Sequence, residues 1–99
     1  MAILSETIDA VKGAIRITSA AMNPEIEGII EACLLDLSIS GLKNIVETDP
    51  LIKRAIIIYS KSHFGMNNDD SEKYMASYES LKNHMALCGD YKNVPVVVV

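Results

Sequence analysis

Residues 49–65 read DPLIKRAIIIYSKSHFG, and the reading of this stretch decides the fold class. Asp49 is a good N-cap, because its carboxylate can accept from the free amides of a first helical turn. Pro50 suits the first helical position, where no N–H is required. Gly65 stands where a helix ending at Phe64 would want a left-handed residue. In between, Leu51, Ile52, Ala55, Ile56, Ile57, Ile58 and Tyr59 leave little polar surface, as expected of a central helix. The β-branched run Ile56–Ile58 would also suit a strand. The caps at both ends favour a helix over 50–64.

The same punctuation recurs upstream. Asn23 and Pro24 repeat the Asp49–Pro50 device and predict a helix over 24–39, stopped by Gly41. Its stripe is Ile26, Ile29, Ile30, Cys33, Leu34 and Leu37, at helical spacing, with Glu25 and Glu27 near the positive end of the macrodipole. Before it, Ser5 is the expected N-cap of a helix over 6–17 with Ile8, Val11 and Ile15 on one face. Thr18 and Ser19 interrupt that pattern.

Downstream, Gly65 to Asp69 form a short polar turn. Asp69 or Asp70 can cap a fourth helix over 70–88, ended by Gly89. Tyr74, Tyr78, Leu81, Met85 and Cys88 make a narrow seam on it, able to pack along a neighbour.

The last residues differ. After the polar Asp90–Asn93 comes Val94-Pro95-Val96-Val97-Val98-Val99. Valines are poor helix formers and good strand formers. A helical chain offers this segment no sheet in cis, so it is either a flexible end or a strand that pairs with another subunit or protein. The expected architecture is all-α: a small bundle of about four helices in residues 1–92, with a short extended tail over 93–99.

The 99 residues suit one domain. Apolar residues make up 49% of the chain, which argues against disorder. The formal net charge of -4 repels phosphate and disfavours a free-standing nucleic-acid binder. Residues 1–6 lack a basic stretch followed by an apolar one, so no secretory leader is expected. No apolar run approaches the ~20 residues of a membrane span.

Little in the chain points to chemistry. Cys33 and Cys88 fall inside apolar stripes, lack CxxC spacing, and read as buried thiols. His63 lies at the end of the third helix, where a protonated ring suits the dipole, and His84 lies beside the seam of the fourth. GxSxG, HExxH, P-loop and GxGxxG motifs are absent from the sequence. The run Asn67–Asp70 lacks the alternating ligands of an EF-hand. No catalytic residue, cofactor or metal is expected. Lys53 and Arg54 can touch a phosphate backbone or an acidic partner, or simply form an exposed face.

At the third and fourth helices the chain resembles a known family. Residues 49–59, then Lys61-Ser62-His63-Phe64-Gly65, then Glu72-Lys73 leading to Ser77-Tyr78-Glu79-Ser80-Leu81-Lys82, are similar to the small head–tail connector (adaptor) proteins of long-tailed bacteriophages. Val11-Lys12 to Arg16-Ile17, and the helix opened by Glu25-Ile26, extend the resemblance over roughly residues 6–92. It implies a structural virion protein, made in the host cytoplasm and placed at the virion neck. About twelve copies would form a ring under the portal protein and extend the DNA channel. The ring would offer a surface to a tail-side neck or completion protein, with genomic DNA passing through unread and no membrane involved. Terminal extensions in such proteins often reach into the portal. The residues expected to mediate interactions are Val94, Val96, Val97, Val98, Val99, Tyr74, Tyr78, Lys53 and Arg54. A different class of function, a small cytosolic helical adaptor or regulatory protein that binds one partner through the fourth helix, fits the same composition. A helical DNA-binding module fits poorly, because no helix is basic along one face.

Overall fold

A computed structural model describes residues 3–43, 45–64 and 70–88. The expected helix stop at Gly65, the polar turn, Gly89 and the valine segment lie outside the described residues. Among the described residues there are four α-helices: α1 over Ser5–Ile15, α2 over Asn23–Ile39, α3 over Pro50–His63 and α4 over Ser71–Ala86. A 3-10 turn, Ala20–Met22, precedes α2. No strand occurs among the described residues, so Ile56–Ile58 are helical and the all-α expectation holds.

The expected start of α3 is present in detail. The Asp49 carboxylate accepts from the Leu51 N–H at 2.8 Å and from the Ile52 N–H at 3.4 Å, and Pro50 follows it in the first turn. The end of α2 is equally local. Gly41 has φ +103°, its N–H donates to the Ser38 carbonyl, and the Leu42 N–H reaches back to the Leu37 carbonyl at 3.2 Å. These two reversed bonds form a Schellman stop, and its usual apolar contact is supplied by Leu37 and Leu42, both buried. A side chain at Gly41 would be strained there whatever space surrounds it.

Other boundaries differ from expectation. Ser5 does not cap α1; it is the first helical residue, and the flanking Leu4 makes no side-chain cap bond. Instead the Leu4 N–H donates to Glu47 Oε1 at 3.1 Å, tying the chain start to the α2–α3 connection. α1 stops at Ile15 because Arg16 turns left-handed, at φ 59°, and the Ile17 N–H folds back to the Lys12 carbonyl. Asn23 does not cap α2, since its backbone is already helical. Ser19 takes the role four residues earlier, accepting from the Ala21 N–H at 3.2 Å at the head of the 3-10 turn. At α4, Asp70 makes no side-chain cap bond and lies 3.7 Å from Lys73.

α3 packs against α1, α2 and α4, so it is the central element of the bundle. Its Ile52, Ala55 and Ile56 are fully buried. They meet Ile26, Ile30, Cys33 and Leu37 of α2, Val11 of α1 and Met85 of α4 in one apolar cluster. α3 is not buried all round, however: Leu51, Lys53 and Arg54 are exposed and Ile57 is half-buried. Each fully buried isoleucine contributes about 1.5–3 kcal/mol relative to exposure.

The burial pattern separates two neighbouring isoleucines. Ile56→Asp should unfold the chain, because an unpaired charge would enter the core. Ile56→Ala should cost about 2–5 kcal/mol in urea denaturation. Ile57→Ala should cost distinctly less. Equal losses at the two positions would contradict the assigned face of α3.

Candidate functional site

Two features stand out beyond the core, a polar knot between α2 and α4 and an apolar face on the far flank of α2. Tyr78 is 0% exposed, and its hydroxyl donates to Asp36 Oδ2 at 2.6 Å. Lys82, only 8% exposed, donates to the same oxygen at 3.0 Å and to Glu79 Oε1 at 3.1 Å. Its ammonium also lies 5.3 Å from the centre of the Tyr78 ring. The Cys33 thiol points at the Tyr78 oxygen from 3.9 Å, and Tyr59 meets the Tyr78 ring edge-on. Helical spacing puts Tyr78 and Lys82 one turn apart on α4, so both reach Asp36 together.

The electrostatics of the knot favour structure over chemistry. Burial raises the Asp36 carboxyl, but the Tyr78 and Lys82 hydrogen bonds and the Lys82 charge together outweigh it and hold the group below its ordinary value. Burial lowers Lys82, but Glu79 and Asp36 outweigh that and hold it above its ordinary value. Burial first, and the Asp36 bond second, push the Tyr78 phenol far up. Burial pushes the Cys33 thiol up to about 12, despite the Tyr78 hydrogen bond. Neither group is an activated nucleophile at neutral pH. Among the described residues no cluster of His, Cys, Asp and Glu could hold a metal ion.

The residues expected at interfaces are dispersed. Tyr78 is enclosed within the chain and spends its hydroxyl on Asp36, so it is an internal tie and not a contact for another molecule. Tyr74 is half-buried, with Lys61 Nζ 5.5 Å from its ring centre. Lys53 and Arg54 are exposed on the first turns of α3. Val94, Val96, Val97, Val98 and Val99 lie outside the described residues.

The apolar face was not anticipated. Leu35 is 61% exposed and Ile39 is 76% exposed, one turn apart on α2 and off its core stripe. Beside them an open groove of about 400 Å³ is lined by Leu34, Leu35 and Ile45, with Glu31, Ser38, Lys43 and Glu47 around it. The signal was in the sequence: Leu35 and Ile39 are apolar residues that the stripe Ile26–Leu37 does not use.

The linked pKa shifts fix how the knot answers to pH. A depressed carboxyl adds stability above its unfolded value of about 3.9 and loses it as pH falls through the folded value. A raised ammonium adds stability below its unfolded value of about 10.4 and loses it as pH rises through the folded value. Tyr78→Phe should cost about 1.5–3 kcal/mol at neutral pH, as expected for a bond to a charged acceptor. Asp36→Asn should lower Tm at pH 7 and flatten the fall in Tm below about pH 4. An unchanged acid limb in Asp36→Asn, followed by circular dichroism, would show that the knot does not titrate as assigned.

Comparison with known proteins adds one finding. No curated protein and no solved structure matches the chain. A family model described as phage connector protein matches residues 7–92. The match spans most of α1 and all of α2, α3 and α4, and stops just before the valine segment. The chain therefore belongs to the phage connector protein family.

Proposed function

We propose that this chain is a head–tail connector that assembles as an oligomeric ring beneath the portal, extends the DNA channel and joins the head to a tail-side neck protein. The observation that carries the reading is the family match across residues 7–92, which covers the helical scaffold as a unit. Two physical features support it. Leu35 and Ile39 leave an apolar face on a helix whose other side is anchored in the core, and exposed apolar clusters of this kind serve contact with other proteins. The net charge of -4 suits a channel through which DNA slides without sticking, since an acidic lining offers phosphate no counterion.

In this reading the side chains bind nothing small and transform nothing. The bundle holds its surfaces in fixed relation while many copies close on one another, and closed symmetry turns one modest contact into a ring. No helix among the described residues is long and apolar enough to cross a membrane. The site of action is the virion neck.

Genetic removal tests this directly. Phage produced without the chain should yield heads and tails that fail to join, counted by electron microscopy, with infectivity restored when the chain is supplied in trans. Normal yields of joined, infectious particles in its absence would overturn the reading.

A further inference from the structure

α2 carries a second apolar stripe, on the side away from the core. Gly28, Ala32, Leu35 and Ile39 follow one another at steps of four, three and four residues, the spacing of a seam that packs along another helix. At about 100° per residue they lie opposite Ile26, Ile30, Cys33 and Leu37, which enter the core. All four are exposed, Leu35 and Ile39 most conspicuously for their size. The stripe is graded, small in its first half and large in its second. Among the described residues, a Cβ at Gly28 would meet no atom within 4 Å, so no contact inside the chain requires glycine there. Glycine is also less favourable than alanine in a helix interior.

Such a stripe complements itself when turned end for end. In an antiparallel pair with residue 28 beside 39 and 32 beside 35, each large side chain meets a small one of the other copy. A parallel pair would set Ile39 against Ile39 and leave a gap at Gly28. Charge selects the same alignment. Glu25, Glu27 and Glu31 make the first half of α2 acidic. Past its other end, the exposed Lys43 stands on the Leu35 side, where it lines the groove with Leu34 and Leu35. The carboxylates at that end are engaged within the chain, Asp36 by Tyr78 and Lys82 and Glu47 by the Leu4 N–H. Antiparallel packing brings each acidic half toward the other copy's Lys43 and opposes the two macrodipoles, whereas parallel packing sets three carboxylates against three.

We propose that, before assembly, two copies of this chain pair through antiparallel α2 helices, with Leu35 and Ile39 of each seated on Ala32 and Gly28 of the other. The inference goes beyond the ring and does not depend on it. A two-fold contact uses the same patch on both copies and closes on itself, so it cannot propagate into a ring. The pair covers Leu35 and Ile39 in the free chain, and it parts before that face can meet a neighbouring subunit. Four contact residues a side fall well short of the roughly 20–30 of a standard interface, so the pair exchanges readily.

Two full-length chains test it, both carrying Cys88→Ser so that the buried Cys33 is the remaining native thiol. One bears Gly28→Cys and the other Ile39→Cys. Mixed and mildly oxidised, they should form a disulfide-linked pair of unlike chains, in a yield about tenfold or more above that of either chain alone. The two positions 28 stand about 16 Å apart across the pair, too far to link to each other. Adding Leu35→Glu to both chains should cut the mixed yield about tenfold or more. Leu35 is exposed, so circular dichroism should show those chains folded as before. Sedimentation equilibrium of the unaltered chain should show monomer and dimer in concentration-dependent exchange. A monomer at every concentration, or a cross-link insensitive to Leu35→Glu, would overturn the proposal. So would Gly28→Cys linking to itself as well as to Ile39→Cys, which would mean a parallel or unaligned contact.

Discussion

The hydrogen bond from the buried Tyr78 to the half-buried Asp36, 2.6 Å long, is the constraint on which the relation of α2 to α4 depends. Each of these helices packs on α3, and apolar packing alone allows such helices to slide or rotate at small cost because it has no direction. A phenol and an ammonium meeting one carboxylate oxygen do have direction. Lys82 and Tyr78 fix α4 in register against Asp36, and Glu79 satisfies the ammonium from its other side. The arrangement is costly to disturb, because Tyr78 and Lys82 have little access to water to replace a lost partner.

That fixed frame gives α2 two distinct sides. The inner face of α2 is bound into the core through Ile26, Ile30, Cys33 and Leu37, while its outer side carries Leu35 and Ile39 into solvent. Apolar area left outside a domain of this size is a disadvantage for the isolated chain, and burial against a partner would turn it into binding free energy. The family match covers residues 7–92 and so takes in α2 with both of these sides.

Much of the frame was legible because its signals are local. Asp49-Pro50 and Gly41 act on amides and carbonyls within a few residues, and both do what the sequence suggests. The α1 and α2 starts were misread for the opposite reason. Ser19 caps a 3-10 turn that no periodic pattern announces, and this leaves Asn23 inside the helix with its side-chain oxygen buried and without a partner. In the sequence Tyr78 reads as one residue of the α4 seam and as an interaction residue. Its true partner, Asp36, lies 42 residues away in the chain, and no spacing rule connects them. Lys82 was hidden by the same distance: a lysine on a helix is expected in water until a carboxylate on another helix is known to face it. Leu35 and Ile39 could have been noticed, as apolar residues on the wrong side of their own helix.

The central claim is that this small helical frame works by closing into a ring at the junction of head and tail. Cryo-electron microscopy of the particle neck, with the density for this chain identified by a fused tag, measures that claim most directly. The account predicts one ring of identical helical subunits directly beneath the portal, coaxial with the DNA channel, with α2 outer faces turned toward neighbouring subunits. A neck in which the chain is absent, or present as isolated copies bound to another component without mutual contact, would contradict it.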